Sequence, residues 1–261
     1  MTKTNIKVYS DFDLLAIVDR YHYAQTVNNP YTASDPDADI QEMWKQGKAI
    51  LSGVYDEMDA SNPKCISVIN KSLNRKVDVV FAFWYNTDEF DKSGQEYYRG
   101  VHLYQFPNGP REAQDFPFAH MKQVNAKGDE TADGSRRAIR LLKTLKADCV
   151  ADLSNLKSFQ LTAVVHAMDS TRIRYYLAND LTIATETSEQ IRKILDDSTY
   201  RKSIKSPNGT ENPLASDEVV PLLGRLKEDL DELIVDATRE LNSQAVRNAV
   251  QAYRNPTLLR G

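Results

Sequence analysis

Ser10-Asp11-Phe12-Asp13-Leu14-Leu15 is the most informative stretch of this 261-residue chain. It lies inside Lys7–Asp19, where β-branched, aromatic and leucine residues predict one strand or a bent pair of strands. Because side chains alternate between the two faces of a strand, Asp11 and Asp13 point to one face and their apolar neighbours to the other. Two carboxylates side by side repel each other unless cations neutralise them.

A third carboxylate, Asp78, interrupts the otherwise apolar run of a second predicted strand, Lys76–Tyr85. A lone carboxylate in such a strand is costly unless it is paired or binds a metal. If the two strands are neighbours, Asp78 joins Asp11 and Asp13 at one site. Magnesium prefers oxygen ligands and often shares them with substrate phosphates. Two ions about 3.5–4 Å apart could activate an attacking hydroxyl and stabilise a leaving pyrophosphate.

The alternative interpretation of the Asp11-x-Asp13 pattern is a strand end that reaches solvent, with both side chains in water. That interpretation is the commoner one for an isolated pair. The apolar flanks and the additional Asp78 favour a metal site. The residues alone leave both interpretations open.

The rest of the pattern predicts an α+β protein with a sheet-bearing first part and a helical second part. In the first part we expect a helix over Ala38–Met58 capped by Asp35 or Asp37, a hairpin of Lys64–Ile69 with Lys76–Tyr85, a strand over Tyr97–Phe106 and a loop over Gly109–Pro117. In the second part we expect a mobile linker over Lys202–Ala215 and helices over Arg136–Cys149, Leu156–Met168, Ser188–Asp197 and Val219–Tyr253.

The composition is that of an ordinary globular protein, with 41% apolar and 27% charged residues. No apolar run approaches the roughly 20 residues that a bilayer crossing needs, and no signal peptide is visible. Two cysteines are too few for a disulfide framework or a zinc site. We therefore expect a cytoplasmic protein with no membrane partner. The net charge of −4 argues against strong binding of duplex nucleic acid.

T-N-I-K-V-Y-S-D-F-D-L-L followed by R-K-V-D-V-V resembles the polymerase-beta-type nucleotidyltransferase superfamily. In detail it resembles the bacterial cyclic-oligonucleotide synthases, which are related to cyclic GMP-AMP synthase and oligoadenylate synthase. The similarity continues into G-S-R-R-A-I-R-L-L-K-T-L-K-A-D and K-S-F-Q-L-T, so it covers roughly Thr4–Met168. It implies a mixed β-sheet palm domain over residues 1–120, N-terminally incomplete, and a helical domain over 121–261.

The resemblance also implies the roles of the acidic residues. Asp11 and Asp13 would be ligands to two Mg²⁺ ions, with Mn²⁺ as a substitute. Asp78 would be the third ligand and the base for the acceptor hydroxyl. The reaction would be nucleotidyl transfer from a nucleoside triphosphate (NTP) with release of pyrophosphate. Ser10, beside the metal-binding pair, is carried over as a nucleotide-binding residue.

Basic and aromatic residues of the second part are further candidates. At about 100° per residue, Arg136, Arg140 and Lys143 form one stripe of a helix, which is either a solvated basic face or the lining of a phosphate-binding cleft. The family's triphosphate-binding lysine falls at Lys143, and the two arginines are weaker candidates. Ser158 matches a phosphate-contacting serine. Phe159 matches a ring that stacks on a nucleobase, and a core position at a helix start is the alternative.

This sequence departs from the family pattern in one feature. The Gly-Ser turn that grips the triphosphate would, by its usual offset, fall just before Met1. The Gly134-Ser135 pair does not replace it, because it follows the sheet and opens a later helix. We expect that the chain has been started too late, in preference to a degenerate enzyme.

The leading hypothesis is an enzyme that makes cyclic or linear oligonucleotide signals from NTPs. By analogy it acts in anti-phage defence of the CBASS type, with a regulatory protein as a partner. One alternative is nucleotidyl transfer to RNA, a protein or a small molecule. Another is a truncated, non-catalytic homologue that lacks the Gly-Ser motif.

Overall fold

The computed structural model describes residues 2–4, 12–24, 35–72, 75–106, 109–110, 114–177 and 179–254. The chain forms two compact units. The first contains the described residues up to Gln123 apart from 2–4, and the second contains 2–4 and the described residues from Val124 onward. A mixed sheet lies in the first unit and helices make up most of the second, which confirms the predicted α+β class.

In the described part of the first unit, six strands form the sheet. They are β1 (Phe12–Ala24), β2 (Glu57–Asp59), β3 (Cys65–Asn70), β4 (Arg75–Asn86), β5 (Gly100–Gln105) and β6 (Gly109–Pro110). Strands β2 to β6 follow one another in antiparallel order, and β1 pairs parallel to β4. The long β4 is therefore flanked by β1 and β3 along residues 77–80, and by β1 and β5 along residues 82–85.

Alternating side chains of β4 divide the sheet into two faces. Val79, Phe81 and Phe83 are buried in the core of the first unit, together with Ile66 of β3 and Ile40. Because the side chains between them must point the other way, the even-numbered residues of this strand lie on the opposite face. The predicted hairpin of the third and fourth strands is confirmed.

Helix α1 spans Pro36–Val54 and packs on the apolar face of the sheet. The Asp35 side chain caps it by accepting from the backbone N–H groups of Asp37 and Ala38, as predicted. The helix ends before the predicted Met58 because Tyr55 takes an extended conformation, and β2 follows.

Shorter elements lie between β4 and β5. Helix α2 (Asp88–Ser93) is capped by the Thr87 hydroxyl and ends at Gly94, whose φ of 65° favours glycine. The strand predicted over Tyr97–Phe106 is confirmed, but it starts later than predicted. Glu96–Tyr98 form a 3-10 helix, and β5 begins at Gly100.

The remaining helices are α3 (Pro117–Glu130), α4 (Gly134–Asp148), α5 (Ser158–His166), α6 (Asp180–Asp196), α7 (Ser198–Ser203) and α8 (Val219–Arg254). In the second unit, α4, α5, α6 and α8 enclose one continuous apolar core. The predicted helices of this part are present with shifted ends, and α6 begins well before the predicted Ser188. No helix in the described ranges has both the length and the apolar character that crossing a bilayer requires.

Two features of the helical part differ from the predictions. Helix α3 was not predicted, since its sequence is polar and buries little besides Val124 and Gly128. The segment Lys202–Ala215 is not a linker but a packed part of the second unit. Leu214 is fully buried in the core, and the buried Arg201 guanidinium donates to the carbonyl oxygens of residues 214–216.

The turn between α3 and α4 is tightly packed. Ala132 and Asp133 adopt φ values of 48° and 73°. A Cβ atom added to Gly134 would lie only 1.7 Å from the backbone oxygen of Ile173. Ser135 is buried, and its backbone N–H donates to the Thr131 hydroxyl. The Gly134-Ser135 pair is therefore an internal packing feature.

We expect Gly134→Ala to lower the free energy of unfolding by at least about 2 kcal/mol, because backbone would have to move to admit the methyl group. Gly224→Ala is the matched control. Gly224 lies inside α8, where an added Cβ atom would meet no described atom within 4 Å. That change should stabilise by about 0.5–1 kcal/mol. Urea unfolding curves measure both values, and equal stability of the two variants would contradict the prediction.

Candidate active site

Asp13 and Asp78 lie directly opposite each other on neighbouring strands. The parallel register of β1 and β4 pairs their Cα atoms, and the antiparallel register of β3 and β4 pairs Ser67 with Asp78. Paired residues on strands about 4.8 Å apart point to the same face of a sheet. Asp13, Asp78 and Ser67 thus form one row across three strands, on the face opposite the apolar core. We call this side the carboxylate face.

Both oxygen atoms of Asp78 have partners on this face. The Ser67 hydroxyl donates to Oδ1 at 2.5 Å, and the Lys76 ammonium donates to Oδ2 at 2.9 Å. The Asp78 side chain is 18% exposed, whereas that of Lys76 is 41% exposed. Asp13 is exposed. The site therefore has one sheltered and one exposed carboxylate.

This arrangement fits a divalent cation. Two adjacent carboxylates supply the oxygen ligands that Mg²⁺ prefers, and their mutual repulsion favours a cation between them. An ammonium group already occupies one oxygen of Asp78. Asp11 and Ser10 lie outside the described residues. Among the residues that are described, no group of three or more His, Cys, Asp or Glu side chains could hold a metal, so the three-carboxylate site stays a prediction.

Lys143 lies on α4 in the second unit. Its Nζ donates to the backbone oxygen of Thr4 at 3.1 Å. Burial lowers the pKa of this amine below its usual value. An anionic group bound beside it would favour the protonated form and raise the pKa again. The side chain therefore suits a phosphate ligand, but that role stays a prediction.

The two arginines of the predicted stripe have internal partners. Arg136 is buried against Gly128, and its Nη2 donates to Asn125 O at 2.9 Å and to Asp129 Oδ1 at 2.7 Å. Arg140 donates to the backbone oxygen of Lys3 and to Asp133. The idea of a solvated basic face was therefore wrong for Arg136, whose contacts are structural.

Ser158 and Phe159 form the first turn of α5. Ser158 is exposed, and its backbone oxygen accepts from the Thr162 hydroxyl. Phe159 is only partly buried, so it is not a fully enclosed core residue. The predicted nucleotide contacts of both residues stay predictions.

The sequence interpretation missed Ser67 and Lys76. A signal for each was present. Ser67 is a lone hydroxyl in an apolar strand of the predicted hairpin, and Lys76 lies two residues before Asp78 and so on the same face. Only the register of the hairpin, however, brings the Ser67 hydroxyl across from Asp78.

Replacement of Arg136 by alanine should destabilise the protein by about 3 kcal/mol, because it removes a buried cation and leaves the Asn125 carbonyl without this donor. The exposed Arg239, paired with Asp236 on α8, provides a control whose loss should cost less than about 1 kcal/mol. Thermal and urea unfolding measure the difference. Loss of NTP affinity in Arg136→Ala at unchanged stability would instead favour a phosphate-binding role.

The chain is similar to bacterial cyclic dinucleotide synthases, although no protein-family model matches it. It is 28% identical over 248 residues to the cyclic dinucleotide synthase CdnE of Yersinia aleksiciae, covering 92% of this chain and 65% of that protein. It is 30% identical over 236 residues to a c-di-GMP synthase of Capnocytophaga granulosa, covering 81% and 66%. The chain thus spans about two thirds of the length of these curated relatives.

Solved structures show the same relationship. The STING-associated CdnE c-di-GMP synthase of Capnocytophaga granulosa matches with a TM-score of 0.77 and 28% identity, over 92% of this chain and 72% of that one. The Rhodothermus marinus CdnE c-UMP-AMP synthase shares the fold with a TM-score of 0.68 at 18% identity, over 89% of this chain and 80% of that one. These similarities show that the chain belongs to the branch of the polymerase-beta-type nucleotidyltransferase superfamily that contains the bacterial relatives of cyclic GMP-AMP synthase.

Proposed function

We propose that the protein is a nucleotidyltransferase that joins two nucleoside triphosphates into a cyclic dinucleotide and releases pyrophosphate. The pairing of Asp13 with Asp78 on adjacent strands carries this proposal. The similarity to proteins named cyclic dinucleotide synthases supports the class of product. A role in anti-phage signalling, with a regulatory protein as partner, is part of the same proposal and rests on the family alone.

The residues on the carboxylate face suit metal binding and activation of the acceptor hydroxyl. Asp13 and Asp78, with Asp11, would hold two Mg²⁺ ions or their Mn²⁺ substitutes. When bound, such ions polarise the phosphate and neutralise the leaving pyrophosphate. Asp78 would serve as the base for the acceptor hydroxyl, and the Ser67 hydrogen bond would fix the orientation of its carboxylate.

Residues of the helical unit would bind the nucleotide. The Lys143 ammonium would pair with the triphosphate, and its burial strengthens that interaction by excluding water. Ser158 would donate its hydroxyl to a phosphate oxygen, as would Ser10. Phe159 would stack on the nucleobase, and stacking of this kind contributes about 1–3 kcal/mol per base.

The test of the proposal is product formation. Full-length protein incubated with the four NTPs and Mg²⁺ should yield a cyclic dinucleotide by mass spectrometry, together with pyrophosphate. Asp78→Asn should lower the rate at least about a hundredfold, because the base and one metal ligand are lost together. The control is Asp91→Asn, an exposed acidic residue of α2, which should keep the wild-type rate.

Equal product from Asp78→Asn and the wild type would refute the role of Asp78. Nucleotide binding without any product would favour a non-catalytic homologue. A linear product, or a nucleotide attached to another acceptor, would retain the chemistry and correct the product class.

A second prediction concerns Lys143. Lys143→Met should weaken binding of a non-hydrolysable NTP analogue about tenfold, since it removes a phosphate-pairing cation. Because the pKa of Lys143 is lowered, its amine loses the proton at a lower pH than an exposed lysine does. As the pH rises, the affinity of the wild type for the analogue should therefore start to fall at a lower pH than the affinity of the variant, which lacks this amine.

Calorimetric titration across a pH series measures this difference. Lys202→Met, which removes an exposed lysine of the same unit, serves as the control. The assignment of Lys143 would fail if both variants kept wild-type affinity and pH dependence.

A further inference from the structure

The row of side chains on the carboxylate face gives Asp78 different neighbours on its two sides. On the β1 side lies Asp13, a second carboxylate, and on the β3 side lies Ser67, a neutral hydroxyl. Lys76, one step back along β4, reaches the same carboxylate from the direction of the strand. Among the residues that the structure describes, Asp78 thus lies beside a second carboxylate, a neutral donor and a cation.

The two partners of Asp78 differ in how firmly they are held. The Ser67 hydroxyl sits on a short side chain within β3, and it donates to Oδ1. The Lys76 ammonium lies at the end of a flexible four-carbon chain that is 41% exposed. The hydroxyl can remain in place while the ammonium moves into solvent.

A divalent ion and an ammonium group compete for the same carboxylate. Two unit charges 4 Å apart already repel by about 4 kcal/mol near a protein surface, and a divalent ion doubles that value. The Ser67 hydroxyl has no net charge and meets no such repulsion. Binding of a metal beside Asp78 therefore favours departure of the ammonium and not of the hydroxyl.

We propose that Lys76 is a resident counter-cation of the metal-free site, displaced when a divalent ion binds to Asp13 and Asp78, and that Ser67 is a positioning residue that orients Asp78 in both states. The inference rests on the proposed function only in taking the carboxylates as metal ligands. In the metal-free protein, Lys76 neutralises part of the repulsion within the row. The same contact makes the metal bind less tightly than the carboxylates alone would allow.

The test measures metal binding and stability in the absence of nucleotide. We expect Lys76→Gln to bind Mn²⁺ about three- to tenfold more tightly than the wild type, as read from the free Mn²⁺ signal in electron paramagnetic resonance titrations. Its melting temperature in EDTA should be lower than that of the wild type. The gain in melting temperature on adding Mn²⁺ should be larger.

The matched control is Lys71→Gln, which removes the same charge from an exposed lysine of the same unit, paired there with Asp56 and Glu57. It should leave the Mn²⁺ affinity unchanged. Unchanged or weaker Mn²⁺ binding by Lys76→Gln would overturn the displacement. An equal gain in both variants would also overturn it, since net charge alone would then be the cause.

Ser67 is tested by two substitutions. Ser67→Ala should weaken Mn²⁺ binding about tenfold or more, because Asp78 loses the group that orients it. Ser67→Thr keeps the hydroxyl on a side chain that suits a strand, and it should restore most of the affinity. Wild-type affinity in Ser67→Ala, or equal loss in both variants, would remove the positioning role.

These outcomes are separable from the proposed function. Protein that shows the expected Mn²⁺ pattern but forms no oligonucleotide would refute the proposed function and leave the role of Lys76 intact. Protein that forms the product while Lys76→Gln binds Mn²⁺ as the wild type does would refute only the displacement.

Discussion

The parallel pairing of β1 with β4 is the constraint on which the rest of the site depends. It brings together Asp13 and Asp78, which lie far apart along the chain. A slip of one residue would send one carboxylate to the other face of the sheet. The register is held by the core on the opposite face, where Val79, Phe81 and Phe83 pack against α1 and its neighbours. Apolar packing on one side of the sheet thus fixes the chemistry on the other.

Charged side chains are balanced locally in both units. On the carboxylate face, Lys76 lies against Asp78. In the helical unit, Arg136 and Arg201 are buried and donate to backbone carbonyl oxygens as well as to aspartates. A buried guanidinium is stable only when such acceptors surround it. Most of these cations therefore serve the fold, and the net charge of the chain says little about which of them could meet a phosphate.

Where local signals agree with tertiary packing, the sequence predicted the structure. The hairpin of β3 and β4 follows from two β-rich runs separated by a short polar stretch, and the start of α1 follows from a cap predicted at Asp35 or Asp37 and found at Asp35. Helix α3 was missed because few of its residues are buried, so its apolar periodicity is weak. The burial of Arg136 could not be inferred from periodicity within α4, because it depends on the space that Gly128 of α3 leaves free.

The candidate site, like the fold, was only partly predictable from the sequence. Carboxylates in apolar strands are visible in the sequence, and their adjacency follows once the strands are taken as neighbours. The environment of each carboxylate does not follow, because it depends on which strand flanks which edge. Since β1 and β3 flank opposite edges of β4, Asp78 has a carboxylate on one side and a hydroxyl on the other. Within this asymmetric setting, one oxygen of Asp78 accepts from the neutral Ser67 hydroxyl and the other from the Lys76 ammonium, which lies on β4 itself.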